Sequence, residues 1–208
     1  MHVVFRESHG LEETETPFDL GQDPADLVVL SFSDSDLGAF AAGYDRMRRV
    51  GNLPTRPGED VGVSPTLRIA NLIALKHPVS VDTYAERTLT GAKAILVRLI
   101  GGEAYWPYGL ATLQDLARRN GTALAILPAD GRPDPRLDEL STLPVSTLRR
   151  LQALCDEGGA VAAHAALAQL ALAAGIYVPP VTGDKTVPQM GFYDPDRGVI
   201  PAPVTPHP

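Results

Sequence analysis

Apolar residues in this chain fall into short unbroken runs, and the stretches between them carry a helical period. Runs over 3–5, 26–32, 67–70, 94–100 and 122–127 read as strands. They are continuous rather than alternating, which suits strands of a parallel sheet buried on both faces. Helical patterns cover 36–49, 81–88 and 108–119. That alternation predicts an α/β fold with an open, mostly parallel, doubly wound sheet of the Rossmann or flavodoxin type. Two further helices follow over 145–156 and 159–174, with Pro144 and Ser146 as start signals. The second holds nine alanines between Ala160 and Ala174. Alanine is the strongest helix former, and it keeps a helix thin enough to approach a neighbour closely. Gly175 suits the stop.

Helix and strand breakers mark the rest. Residues 50–66 are rich in proline and glycine and predict a mobile loop. From Val178 to Pro208, eight of 31 residues are proline, so no helix runs through this Pro-rich extension. Within it, Asp194-Pro195-Asp196-Arg197-Gly198 is a turn sequence that predicts a short hairpin. Residues 201–208 read as a linker. The expected organisation is an α/β head domain over 1–176 and an extension over 177–208 that leads to downstream domains.

Composition narrows the function. A net charge of -7 argues against nucleic acid, whose phosphates call for a basic face. No apolar run approaches the roughly 20 residues that span a bilayer. The opening residues lack the basic-then-apolar layout of a signal peptide, so a cytoplasmic location is expected. The single cysteine, Cys155, excludes an internal disulfide and a cysteine-rich metal site. The five histidines, His2, His9, His77, His164 and His207, show no metal-ligand spacing. Gly-x-Gly-x-x-Gly and Gly-x-Ser-x-Gly are absent, and Gly183-Asp184-Lys185-Thr186 resembles a phosphate loop only in its tail.

Candidate chemistry gathers where strands end, the edge at which open α/β sheets bind ligands. The run over 94–100 stops at Gly101 and Gly102; Glu103, Tyr105, Trp106 and Tyr108 follow at once. Glycines let a ligand or loop approach the backbone, Glu103 offers a carboxylate, and the aromatic rings could stack on a flat ring system. The same rings could instead seal the edge against another domain. The run over 26–32 leads into Ser33, Asp34, Ser35 and Asp36. These could hold a cation or a polar ligand, or simply cap the following helix and favour its positive end. Glu7, Ser8, His9 and Asp130 would lie on the same edge.

Five separated segments, in order, add a family resemblance to this pattern. They are Phe5-Arg6-Glu7-Ser8, the stretch 26–37 (Asp-Leu-Val-Val-Leu-Ser-Phe-Ser-Asp-Ser-Asp-Leu), His77-Pro-Val-Ser-Val-Asp-Thr-Tyr84, Leu99-Ile-Gly-Gly-Glu-Ala-Tyr-Trp-Pro-Tyr-Gly109 and Phe192-Tyr-Asp-Pro-Asp-Arg-Gly198. Together they resemble the extreme N-terminus of cobaltochelatase large subunits of the CobN type, relatives of the magnesium chelatase large subunit. The resemblance runs from the first residue to about Val199. It implies part of a much longer tetrapyrrole-binding subunit that takes hydrogenobyrinic acid a,c-diamide and Co²⁺ in cobalamin biosynthesis. The partners it implies are the remainder of that subunit and an AAA+ motor of two smaller subunits that hydrolyses Mg-ATP. No catalytic or metal-ligating residue carries over, no cofactor is expected in this chain, and the piece alone is expected to be catalytically silent. Ser33, Asp34, Ser35, Asp36, Gly101, Gly102, Glu103, Tyr105, Trp106 and Tyr108 remain the candidates for holding the corrinoid or docking a neighbouring domain.

Overall fold

Every residue of strand β1 (Leu27–Ser31) is buried, as its unbroken apolar run requires of the centre of a sheet. The computed structural model describes residues 16–51, 64–179, 181, 191–194 and 198–201. After β1 come α1 (Asp34–Gly51), β2 (Leu67–Asn71), a 3-10 turn (Leu72–Leu75) and α2 (Pro78–Tyr84), which continues as a π-helical turn (Ala85–Leu89). Then follow β3 (Ala94–Leu99), a 3-10 turn (Glu103–Tyr105), α3 (Pro107–Asn120), β4 (Ala123–Pro128), α4 (Pro135–Leu140), α5 (Val145–Glu157) and α6 (Gly159–Ala173). The four strands form one open, all-parallel sheet in the order β2-β1-β3-β4. The sequence predicts the α/β class, the parallel sheet and the C-terminal helices; the short α4 is absent from that prediction.

Alternation along each strand builds two cores. Val28, Leu30, Ile95, Val97, Leu124 and Ile126 pack with α2, α3 and α4 on one face. Leu27, Val29, Ala94, Leu96, Ala125 and Leu127 pack with α1, α5 and α6 on the other. Helices thus cover both faces, which is why the strands carry apolar residues at successive positions. Gly43 marks the approach of α1 to the alanine-rich α6: a Cβ there would lie 2.7 Å from the backbone nitrogen of His164.

Side chains take up backbone groups on both edges of the sheet. On β2, Gln22 Nε2 donates to Ile69 O at 3.0 Å and Arg68 donates to Leu67 O at 3.0 Å. Gln22 is itself held by Tyr84 and Thr88. On β4, Thr142 Oγ1 accepts from Leu124 N at 2.7 Å and Ser141 Oγ accepts from Ile126 N at 2.9 Å. Two hydroxyls therefore take up edge amides to which a fifth strand would pair. The predicted hairpin forms as β5 (Gly191–Asp194) and β6 (Gly198–Pro201), paired antiparallel. The predicted strand over 3–5 and most of the predicted loop over 50–66 lie outside the described residues, as do Glu7, Ser8 and His9.

His164 is buried on α6, and its Nδ1 has no hydrogen-bond partner. Burial, with Arg46 nearby, lowers its pKa below the usual 6.5. The unfolded chain therefore takes up a proton that the folded chain resists. Stability is complete above the unfolded pKa and is lost as pH falls below it toward the folded value. Urea midpoints measured from pH 8 to pH 5 are expected to fall more steeply for the wild type than for His164→Leu. Parallel curves would show that His164 carries none of the acid sensitivity.

Candidate functional site

Parallel strands all end on one edge, and the topology switches direction between β1 and β3. Ser31 of β1 lies in register with Arg98 of β3 at that point. Arg98 is a lone charge in an apolar strand, with a side chain only 5% exposed. Its Nε donates to Asp36 at 3.4 Å, and its guanidinium reaches Asp156 on α5 at 2.9 Å and Pro128 O at 3.2 Å. Ser31 Oγ donates to the same Asp36 oxygen at 2.9 Å. The crevice on the α1 and α5 side therefore holds an internal ion network.

The 33–36 segment is divided by this network. Ser33 Oγ accepts from Asp36 N at 3.3 Å, a capping contact for α1. Asp34 accepts from Asn71 at 2.8 Å, tying the ends of β1 and β2 together. Asp36 turns inward to Arg98. Ser35 lines a recess of about 120 Å³ with Asp36, Cys155, Gly158 and Gly159. Burial pushes the Cys155 thiol up to about 12, so it stays protonated at neutral pH.

The glycine turn after β3 is built differently. Gly101 and Gly102 have φ of 84° and 76°, left-handed conformations that side chains resist. The Tyr105 ring folds over Gly101 and fills the place of a Cβ. Glu103 pairs with Arg136 of α4 at 2.7 Å, and Arg136 also reaches Glu139 at 3.0 Å. The guanidinium holds the Glu103 carboxyl below its ordinary value, so this residue is an anion locking two loops rather than a proton donor.

The three aromatic side chains separate. Trp106 is buried, and its indole Nε1 donates to Leu75 O at 2.7 Å. Tyr105 and Tyr108 are exposed, and Tyr108 donates to Asp82 at 2.8 Å, which raises its pKa. Ile73, Val79 and Ile100 are also exposed, at strand and helix ends on the same edge of the sheet. The indole therefore offers no open face for stacking, whereas the tyrosines do.

Between the ends of β3 and β4 lies a cleft of about 380 Å³ lined by Leu99, Gly101, Gly102, Pro128, Asp130 and the 132–135 loop. Among the described residues no group of three or more His, Cys, Asp or Glu is arranged to hold a metal ion. No described helix is long and apolar enough to cross a membrane. Arg98, Asp156, Arg132, Arg136 and Asp82 are absent from the sequence-derived candidates. The one available signal was Arg98, a charge inside a strand that otherwise reads as core.

Comparison with known proteins shows what the chain is similar to. The aerobic cobaltochelatase subunit CobN of a Sinorhizobium species is 40% identical over 159 residues, 76% of this chain. The chain is homologous to a portion of CobN. CobN of Pseudomonas aeruginosa is 36% identical over a stretch of the same length, 159 residues. The chain spans only 11% of the first CobN and 12% of the second. The structure of the catalytic subunit of cobaltochelatase from Mycobacterium tuberculosis shares the fold with a TM-score of 0.52 at 20% identity, over 77% of this chain and 11% of that one. No family model matches the chain.

Proposed function

We propose that this chain acts as the N-terminal α/β head of the tetrapyrrole-binding subunit of an ATP-dependent cobaltochelatase, which inserts Co²⁺ into hydrogenobyrinic acid a,c-diamide in aerobic, cytoplasmic cobalamin biosynthesis. The observation that carries this reading is the 40% identity to CobN over 159 residues. In this reading the head helps enclose the corrinoid, and the insertion step belongs elsewhere in the subunit. Insertion must deprotonate ring nitrogens and strip water from the ion, which calls for a base and donor ligands in an enclosed cavity. ATP hydrolysis belongs to the AAA+ motor of the two smaller subunits. The head contributes the carboxyl edge of its sheet: Gly101, Gly102, Glu103, Tyr105 and Tyr108, with Trp106 fixing the turn from beneath and Ser33, Asp34, Ser35 and Asp36 shaping the neighbouring rim.

The test is reconstitution. A CobN lacking its homologous 159-residue stretch is combined with this chain, the two smaller subunits, ATP, Co²⁺ and the corrinoid. Insertion, read from the corrinoid absorbance spectrum, is expected only when the chain is present, and the chain alone is expected to give none. Equal insertion with and without the chain would reject the reading.

A second reading, docking onto the rest of the subunit or the motor without touching corrinoid, is favoured by the exposed apolar residues Ile73, Val79, Ile100, Tyr105 and Tyr108 on one edge. It predicts that Ile73→Ser with Tyr105→Ser weakens assembly in a pull-down while leaving the head folded.

A further inference from the structure

We infer that the cleft between the ends of β3 and β4 is a subsite for a carboxylate-bearing arm of the ligand, with Arg132 as its anchor and an amide as the preferred neighbouring group. This rests on the corrinoid reading above and assigns one part of that contact. Three charged residues line the cleft: Asp130, Arg132 and Asp134. Arg132 forms no ion pair or side-chain hydrogen bond among the described residues, so its guanidinium fork is open to a planar, bidentate partner. The two aspartates have settled backbones and spare oxygens. Asp130 Oδ1 accepts from Arg132 N at 3.2 Å. Asp134 Oδ1 caps α4, accepting from Arg136 N at 2.9 Å. Neither Oδ2 has a hydrogen-bond partner among the described residues, and Asp134 Oδ2 faces Gly102, where a Cβ would come within 3.3 Å.

Charge selects the ligand class. One guanidinium beside two carboxylates leaves the cleft with a net negative charge, which disfavours a multiply charged anion such as phosphate. A single carboxylate matches Arg132, and amide N–H groups match the free aspartate oxygens. An arm set that mixes carboxylates and amides satisfies all three residues at once, and hydrogenobyrinic acid a,c-diamide is such a molecule. The cleft is also held in shape. Ala129 N donates to Leu99 O at 2.7 Å, and the Glu103–Arg136 pair joins the two rims. Gly101 and Gly102 line the floor without side chains. A site held this way loses little entropy on binding.

The test titrates the full chain with hydrogenobyrinic acid a,c-diamide, reading quenching of Trp106, the only tryptophan. Energy transfer to the corrinoid needs no contact with the buried indole. Saturable quenching is expected for the wild type. Loss of one charge-assisted hydrogen-bonding group should weaken binding about tenfold in Arg132→Ala, with Arg132→Lys between. Arg118→Ala, on the last turn of α3 at the opposite edge, should bind as the wild type. Esterifying the ligand's carboxylates should weaken wild-type binding as much as Arg132→Ala does, and inorganic phosphate should not compete. Wild-type affinity in Arg132→Ala, competition by phosphate, or no saturable quenching at all would overturn the subsite. The reconstituted chelatase separates the two claims. Insertion restored by the chain, with an unchanged KM for corrinoid in Arg132→Ala, removes the subsite and keeps the chelatase role. No restoration removes the role itself.

Discussion

Replacing Trp106 by alanine is expected to destabilise the fold by about 3–5 kcal/mol, the range for truncating a buried aromatic residue. Trp106 ends the glycine turn and immediately precedes Pro107, the first residue of α3. Its ring is 4% exposed and belongs to the same core as Leu72, Leu75 and Leu110. Gly109 completes the seat, because a Cβ there would collide with the indole. The hydrogen bond from Nε1 to Leu75 O fastens the turn after β2 to the turn after β3. Truncation removes packing area and also leaves that carbonyl without its partner. Trp106→Phe keeps much of the area and loses only the donor, so its cost should be clearly smaller. Urea denaturation followed by far-ultraviolet circular dichroism reads both variants without depending on tryptophan emission. A loss below about 1 kcal/mol for the alanine variant would show that the site relaxes and that the indole is not what joins these turns.

That buried indole also shows where sequence reading reaches and where it stops. Strands β1, β3 and β4 were legible because each is an apolar run long enough to cross the sheet, and all their residues are buried. β2 was legible but weak because it lies at the edge, where Arg68 is tolerated. The short α4 has six residues, too few for a period to emerge, although Asp134 before Pro135 is a start signal. The candidate edge was legible for the same reason as the strands: a run that stops at Gly101 and Gly102 must turn there. Which of Tyr105, Trp106 and Tyr108 faces inward was not legible. A 3-10 turn separates β3 from α3, so neither the strand nor the helical period carries across it. Arg132, Arg136 and Asp82 escaped because their roles depend on loops brought together by the crossover connections. Glu103 and Arg136 are 33 residues apart in sequence, and no local pattern encodes their pairing.

Removing Arg98 is expected to cost about 3 kcal/mol, the lower end of what breaking a buried ion pair costs. The lower end applies because its partners keep some water: the Asp36 and Asp156 side chains are 19% and 32% exposed, against 5% for Arg98. The cation is what makes the end of β3 compatible with two carboxylates brought in by α1 and α5. Arg98→Met retains the aliphatic stem that packs in the strand but leaves both carboxylates without their counter-charge. Combining Arg98→Met with Asp156→Asn should therefore recover part of the loss, giving a coupling of about 1 kcal/mol or more in a double-mutant cycle. Because the network is largely out of water, the cost should persist in high salt, unlike that of a surface pair. Urea midpoints at low and high ionic strength test this directly. The outcome also bears on where a ligand can bind. In a doubly wound sheet the crevice at the switch between β1 and β3 is the ordinary ligand position. Here Arg98, Ser31, Asp36 and Asp156 occupy it with one another, and the open cleft lies one strand further on, between β3 and β4. A cost below about 1 kcal/mol, or full salt sensitivity, would mean that the network is loose and that the switch-point crevice is itself available to a ligand.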